Sequence, residues 1–288
     1  MPDRPPLMPP SVDLLIPTRN RAECLRRSLP SWVAAAAGRA GIILCDQSPQ
    51  PFAAPNVRVL HRPELSGLPA ARNALLAASS AEVVVFLDDD CEIDAGFVAE
   101  VQRLAAREPR LLAWGPVVER RGRWTRRLHR LVHLGAFADP RRLQPGANDQ
   151  ATRALFGCCF AVRRAAARAI GFDARRPGYA LGEDFDFFLR LSAAHPAPCA
   201  RFVRRLRALH RQDGADRADR ERRGWAKGAY LRWLARRHGG GNPATLLHLG
   251  LAVLAAASGR GQEPASWRGV LAGLANPLPR RVVKTGAP

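Results

Sequence analysis

The stretch VVVFLDDDCEID (residues 83–94) joins an apolar run to three consecutive acids. Five uninterrupted apolar residues are typical of a strand that is buried on both faces of a parallel sheet. Asp88, Asp89 and Asp90 follow at once, where such a strand would end. Ligands of parallel sheets bind beyond the carboxyl ends of the strands, so the position of these acids indicates a binding site.

The segments before this stretch alternate between strand and helix patterns. Short apolar runs occupy residues 12–18, 41–45 and 57–61, and helical spacing occupies residues 21–37 and 66–78. This alternation favours a mainly parallel sheet with helices on its faces. Asp46 directly follows the second apolar run, so we expect it to reach the same sheet edge as the three consecutive acids.

The three acids have two interpretations when they are taken alone. In an extended segment Asp88 and Asp90 would point to one side, and two carboxylate ligands on one side suit Mg²⁺ or Mn²⁺. A solvated acidic turn is the alternative, and the motif by itself does not separate the two.

A second acidic group lies in GEDFD (residues 182–186), before a helix-like segment. Acids at a helix N-terminus are favoured by the helix dipole, which would give them a capping role. The alternative is catalytic, because Asp184 could act as a general base toward an acceptor. Both interpretations stay open for this motif alone.

The charge of the chain is the outstanding feature of its composition. The 288 residues carry a net charge of +20, and residues 103–142 and 201–237 contribute +8 and +9 of it. Such an excess predicts an anionic partner. The first ten residues lack the apolar core of a secretory signal, and no run of 18 uncharged apolar residues occurs, so we expect a cytoplasmic protein.

Six segments in a fixed order resemble the family 2 glycosyltransferases of the GT-A fold: IPTRNR, IILCDQS, SGLPAARNAL, VVVFLDDDCEID, GCCFAVRRAAARAIGFD and GEDFDFFLRL. The resemblance covers roughly residues 11–237. It implies an α/β, Rossmann-like fold with a mainly parallel sheet, flanking helices and a helical C-terminal extension. The domains expected are a Pro-rich tail (1–10), a nucleotide-sugar half (11–100), an acceptor half (101–237) and the extension (238–288).

The resemblance also implies roles for individual residues. Asp184 would be the catalytic base of an inverting reaction, and Mn²⁺ or Mg²⁺ would be held by Asp88, Asp90 and His210. Acceptor binding falls to Gly157, Glu183 and Trp114. Donor binding falls to Pro17, Arg19, Asp46, Arg72, Asn73, Asp88 and Asp89.

The function implied is transfer of a sugar from a nucleotide-diphosphate sugar to an acceptor hydroxyl, by an enzyme of the hexosyltransferase type. The charge then favours a glycan or glycolipid acceptor, linked to lipid or to the cell envelope, and peripheral binding to an anionic membrane at the inner face of the cytoplasmic membrane. No nucleic-acid partner is expected, because no nucleic-acid-binding motif occurs. The alternatives are a sugar nucleotidyltransferase and a non-catalytic nucleotide- or anion-binding protein.

Overall fold

The computed structural model describes residues 8–116, 149–175, 181–195, 199–211, 220–234, 236–237 and 266–275. The chain divides into two compact units. The first contains all the described residues up to 211 except 181–182, and the second contains 181–182 and the described residues from 220 onward. The domain boundaries predicted from the sequence stay predictions, and the C-terminal extension is described only over residues 266–275.

The elements of the first unit confirm the predicted alternation of strands and helices. In chain order they are β1 (Val12–Thr18), α1 (Ala22–Ala36), β2 (Ala40–Asp46), β3 (Arg58–His61), α2 (Leu68–Ala78), β4 (Val83–Leu87), β5 (Cys91–Ile93), α3 (Phe97–Arg107), β6 (Ala113–Pro116), β7 (Gln150–Thr152), β8 (Cys159–Arg163), α4 (Arg164–Ile170), α5 (Glu183–Ala194), β9 (Ala200–Val203) and β10 (Ala208–His210).

Eight of these strands form one sheet in the order β3-β2-β1-β4-β8-β6-β9-β7. The pairs β2–β3, β1–β2, β1–β4 and β6–β9 are parallel, whereas β8 runs antiparallel to both of its neighbours and β7 runs antiparallel to β9. The three central parallel strands β2, β1 and β4 therefore end at one edge of the sheet. This arrangement confirms the predicted α/β fold with a mainly parallel sheet.

The hydrophobic core fills both faces of the central strands. All five residues of β4 are buried, which is what its unbroken apolar sequence predicts for a strand covered on both sides. The core continues into α1 through Trp32, whose indole Nε1 donates a hydrogen bond of 2.8 Å to the Cys91 carbonyl oxygen. The segment that follows the three acids is thereby fixed to the body of the fold.

A second, two-stranded sheet is decisive for the site. Strands β5 and β10 pair antiparallel, with His210 opposite Cys91. The backbone amide of Arg211 donates a hydrogen bond of 3.1 Å to the Asp90 carbonyl oxygen. This pairing carries a histidine from late in the chain to the acids that follow β4.

The second unit contains the helices α6 (Arg220–Leu234) and α7 (Trp267–Ala275), which pack backbone to backbone. Each helix carries two glycines four residues apart: Gly224 and Gly228 on α6, and Gly269 and Gly273 on α7. A Cβ atom on Gly228 or Gly273 would collide with a carbonyl oxygen of the facing helix, so the close approach depends on these glycines. None of the helices in the described part of the chain is long and apolar enough to cross a membrane.

Candidate active site

The three acids after β4 separate into two functions. Asp88 and Asp90 approach His210, and ligand atoms of these three residues lie within 4.8 Å of one another. The Nε2 atom of His210 lies 3.0 Å from Asp90 Oδ1 and 3.8 Å from Asp88 Oδ2. Asp89 turns the other way, where its Oδ2 accepts a hydrogen bond of 2.7 Å from the Thr18 hydroxyl.

Two arginines contact the carboxylates of Asp88 and Asp90. Nη2 of Arg72 lies 3.3 Å from Asp88 Oδ1, and Nη2 of Arg21 lies 2.8 Å from Asp90 Oδ2. Each carboxylate therefore has one oxygen on an arginine and the other turned toward the histidine. Arg21 also contacts Asp89 through its Nη1 atom, at 2.8 Å.

This group of side chains fits a divalent cation. Carboxylate oxygens are preferred ligands of Mg²⁺ and Mn²⁺, and an imidazole nitrogen favours a first-row transition metal such as Mn²⁺ over Mg²⁺. Burial raises the pKa of Asp88, while the positive charge of Arg72 and the proximity of His210 oppose that rise. A cation bound between these ligands would act in the same direction as Arg72, by favouring the ionised carboxylate.

The second acidic group opens α5 beside the loop before β8. The backbone amide of Gly157 donates a hydrogen bond of 2.8 Å to Asp184 Oδ2, and the amide of Phe185 donates one of 2.8 Å to Asp184 Oδ1. A Cβ atom on Gly157 would lie 2.9 Å from both Cβ and Oδ2 of Asp184. Position 157 must therefore be glycine for the Asp184 carboxylate to occupy its place.

The other acids of this group are held by arginines. Glu183 Oε1 accepts a hydrogen bond of 2.7 Å from Nη1 of Arg72. Burial raises the pKa of Glu183 to about 7, and the Arg72 charge opposes this effect. Asp186 is fully buried and pairs with Arg190 at 2.9 Å, one turn later on the same helix.

Several residues predicted to bind the donor make contacts within the protein, and their role in donor binding stays a prediction. Asp46 is buried at the end of β2, where its oxygens accept hydrogen bonds from the amides of Ser48 and Phe52 at 2.9 and 2.7 Å. The Asn73 amide exchanges two hydrogen bonds of 2.8 Å with the backbone of Phe172. Arg72 is 1% exposed and contacts Asp88 and Glu183.

The remaining predicted residues lie at different depths. Pro17 is buried in β1, and Arg19 is exposed directly after that strand. Trp114, predicted for acceptor binding, is fully buried in the core under the Arg163 guanidinium, 5.3 Å from its ring centre. All four residues of β6 are buried, and the role of Trp114 in acceptor binding stays a prediction.

Sequence reasoning missed the roles of Arg21 and Thr18. Both belong to the same IPTRNR segment as Arg19, whose role in donor binding stays a prediction. Asn20 between the two arginines has a φ of 55°, and this left-handed residue turns the chain between them. The signal for Arg21 was its place at the start of α1, next to the sheet edge.

A sequence model of glycosyl transferase family 2 matches residues 13–171, which is more than half of the chain. The chain belongs to glycosyl transferase family 2. This assignment confirms the resemblance, and with it the glycosyltransferase activity class expected from the sequence. The matched range contains Asp88, Asp90 and Gly157, whereas Asp184 and His210 lie beyond it.

Solved structures share the fold of this glycosyltransferase at low sequence identity. The mannosyltransferase PcManGT from Pyrobaculum calidifontis, in complex with GDP-Man and Mn²⁺, is 19% identical, with a TM-score of 0.58 over 94% of this chain and 81% of its own. The glucosyl-3-phosphoglycerate synthase from Mycobacterium tuberculosis, in complex with Mn²⁺, UDP and phosphoglyceric acid, is 18% identical, with a TM-score of 0.54 over 81% of this chain and 80% of its own. GalNAc-T7, in complex with UDP, GalNAc and Mn²⁺, is 15% identical, with a TM-score of 0.52 over 82% of this chain and 52% of its own. No curated protein sequence matches the chain significantly.

Proposed function

We propose that the chain is a metal-dependent, inverting glycosyltransferase that uses a nucleotide-diphosphate sugar as donor. The observation that carries the proposal is the convergence of Asp88, Asp90 and His210 at one edge of a parallel sheet, with Asp184 in the same unit. The similar structures that contain Mn²⁺ with GDP-Man or UDP support this choice of cation and donor class.

In the proposed reaction Asp88, Asp90 and His210 would hold the cation after β4, and the donor diphosphate would bind at this edge of the sheet. The cation, when bound, offsets the negative charge that develops on the leaving diphosphate. Pro17 and Arg19 lie at the carboxyl end of the neighbouring strand β1, which is the edge where donors of such sheets bind.

Asp184 performs the proton transfer. Its carboxylate accepts the proton of the acceptor hydroxyl as the hydroxyl oxygen attacks the anomeric carbon of the donor sugar. The new glycosidic bond forms while the bond from that carbon to the diphosphate oxygen breaks, and the nucleoside diphosphate departs with the electron pair. A single displacement of this kind inverts the anomeric centre. Glu183 precedes Asp184 in the chain, and the Gly157 amide donates a hydrogen bond to Asp184. These two residues would position the acceptor.

The donor test is a screen of nucleotide sugars against the wild-type protein with Mn²⁺. We expect a subset of donors to raise the midpoint of thermal unfolding, because a ligand that binds the folded state stabilises it. We also expect slow, Mn²⁺-dependent release of nucleoside diphosphate from those donors. Asp94→Asn, an exposed acid four residues after Asp90, is the matched control and should behave like wild type. Failure of every donor to bind with Mn²⁺ would contradict the proposal.

The acceptor is proposed to be a glycan on a lipid at an anionic membrane surface. On α7 the apolar side chains of Trp267 and Leu271 are 44% and 45% exposed, one turn apart on the helix. The Arg268 guanidinium lies 5.5 Å from the Trp267 ring centre. An exposed tryptophan and leucine next to arginine, in a chain with a net charge of +20, is the composition of a helix that lies on anionic lipid.

The membrane test is co-sedimentation with vesicles of phosphatidylcholine, with and without phosphatidylglycerol. We expect binding to the anionic vesicles, with weaker binding for the Trp267→Ser/Leu271→Ser double variant. Val33→Ser removes an apolar side chain that is 40% exposed on α1 of the other unit, and it should bind like wild type. Equal binding to both vesicle types at moderate salt would exclude anionic lipid as the partner.

A further inference from the structure

Arg72 is an arginine buried among aromatic rings. It lies in α2 and is 1% exposed, and its guanidinium carbon is 5.4 to 5.9 Å from the ring centres of Phe86, Phe160 and Phe172. A buried charge is costly unless it is paired, so the purpose of this side chain must lie in the groups it contacts.

The guanidinium of Arg72 contacts both acidic groups of the site. Its Nη1 atom donates 2.7 Å to Glu183 Oε1, while Nη2 lies 3.3 Å from Asp88 Oδ1. Residues 88 and 183 are far apart in the sequence and belong to different elements of the same unit. One planar cation with two donor nitrogens fixes the orientation of both carboxylates, which a lysine could not do.

Arg72 also connects to a third acid, Asp184, through the backbone of Gly157. Nη2 of Arg72 also donates 2.8 Å to the carbonyl oxygen of Gly157, and the amide of Gly157 donates 2.8 Å to Asp184 Oδ2. Arg72 therefore holds the glycine whose amide holds the proposed base. The same glycine has no space for a side chain beside Asp184, so its backbone position determines where the carboxylate lies.

We propose that Arg72 is the positioning residue that joins the metal site to the acceptor side of the active centre. Arg72 contacts one oxygen of Asp88, so that the other oxygen faces the cation site. It also fixes the positions of Glu183 and Gly157 relative to that site. This inference rests on the proposed metal-dependent transfer, and it assigns Arg72 to the protein framework rather than to contact with the donor.

Mn²⁺ affinity separates positioning from simple electrostatics, because the two predict opposite signs. Removing a positive charge beside a cation site should strengthen Mn²⁺ binding if charge alone matters. Removing a residue that orients a metal ligand should weaken it, typically by about 10- to 100-fold. The measurement needs no donor and no turnover, since Mn²⁺ alone is the probe and its electron paramagnetic resonance signal reports the free ion.

The variants are chosen so that the fold survives. Arg72→Met alone would leave Glu183 buried without its partner, so the main variant is Arg72→Met/Glu183→Gln. Because this variant also removes the Glu183 carboxylate, its reference is Glu183→Gln, from which it differs only by the Arg72 side chain. Arg72→Lys keeps the charge without the planar pair of donors. Arg58→Met removes an exposed arginine that donates only to the Ala78 carbonyl oxygen among its described contacts, and it serves as the matched control.

We expect the double variant to unfold cooperatively near the wild-type temperature and to bind Mn²⁺ about 10-fold more weakly than Glu183→Gln, or worse. Arg72→Lys should recover part of that affinity, and Arg58→Met should match wild type. Mn²⁺ binding by the folded double variant that equals or exceeds that of Glu183→Gln would overturn the role of Arg72 and leave the proposed function standing. Failure of the wild-type protein to bind Mn²⁺ would overturn both.

Discussion

The acids after β4 and the acids at the start of α5 are two groups of similar composition that the fold uses differently. After β4, alternate residues approach the same histidine, and the middle residue Asp89 pairs with Thr18 and Arg21. At the start of α5, adjacent residues Glu183 and Asp184 lie near the site, while Asp186 turns into the core toward Arg190. In each group one acid, Asp89 or Asp186, makes structural contacts within the protein, and the local backbone conformation determines which residue it is.

The largest effect is expected for the proposed base. Asp184→Asn keeps the shape and one acceptor oxygen, which can accept from only one of the Gly157 and Phe185 amides, and it cannot take up the acceptor proton. We expect the rate of sugar transfer to fall by about 10²- to 10⁴-fold. The measurement is steady-state transfer with a donor identified by the screen, with Asp94→Asn as the control. Transfer by Asp184→Asn at the wild-type rate would show that Asp184 is not the catalytic base.

A smaller effect on the same group is expected from its glycine. Gly157→Ala adds a Cβ atom where the Asp184 side chain lies 2.9 Å away, so the carboxylate must move. Because misplacing a reacting group by about 1 Å can cost about 10²-fold in rate, we expect the transfer rate to fall by up to about 10²-fold. We expect the Mn²⁺ affinity to stay near that of wild type. Gly96→Ala is the control, because a Cβ atom there meets nothing within 4 Å. A coupled loss of Mn²⁺ binding would show that the two acid groups do not act separately.

Much of this arrangement could be predicted from the sequence. The unbroken apolar run of β4 predicted a central strand. It also predicted that Asp88 and Asp90 lie just beyond the strand end, because a strand buried on both faces does not continue into a run of acids. His210 was a candidate because of its sequence context alone. Its place opposite Cys91 depends on the β5–β10 pairing, which no periodicity in such short strands reveals.

The burial of Arg72 could not be predicted, because nothing in the helical pattern of α2 marks an arginine as an interior residue. Its charge is tolerated only because Glu183, Asp88 and three phenylalanine rings arrive from distant parts of the chain. Trp114 is likewise fully buried, and its neighbours in the hydrophobic core come from distant parts of the chain.

The framework acid of α5 is expected to affect stability. Asp186→Ala breaks the buried pair with Arg190, which keeps its hydrogen bonds to the Ile170 and Gly171 carbonyl oxygens. We expect a loss of about 3 kcal/mol, at the lower end for breaking a buried ion pair. The midpoint of thermal unfolding should fall by about 6–12 °C. Unchanged stability would mean that Asp186 is not a framework residue.

The framework acid after β4 should affect the pH dependence of stability without metal. Burial raises the pKa of Asp89 to about 7, despite Arg21 and Thr18. An acid whose folded pKa is raised binds more protons in the folded state, so its contribution favours folding at low pH and is lost as pH rises toward 7. Asp89→Asn should therefore show a smaller fall in unfolding free energy than wild type between pH 4.5 and about 7.5. An identical fall in both proteins would contradict the raised pKa.

The acids after β4 are proposed to hold the cation, while Asp184 serves proton transfer. Titration of Mn²⁺ by electron paramagnetic resonance, on wild type, Asp90→Asn and Asp184→Asn, separates these two roles. We expect equal Mn²⁺ affinity for wild type and Asp184→Asn, and a loss of at least about 10-fold for Asp90→Asn. Wild-type affinity in Asp90→Asn, or a loss confined to Asp184→Asn, would contradict these roles.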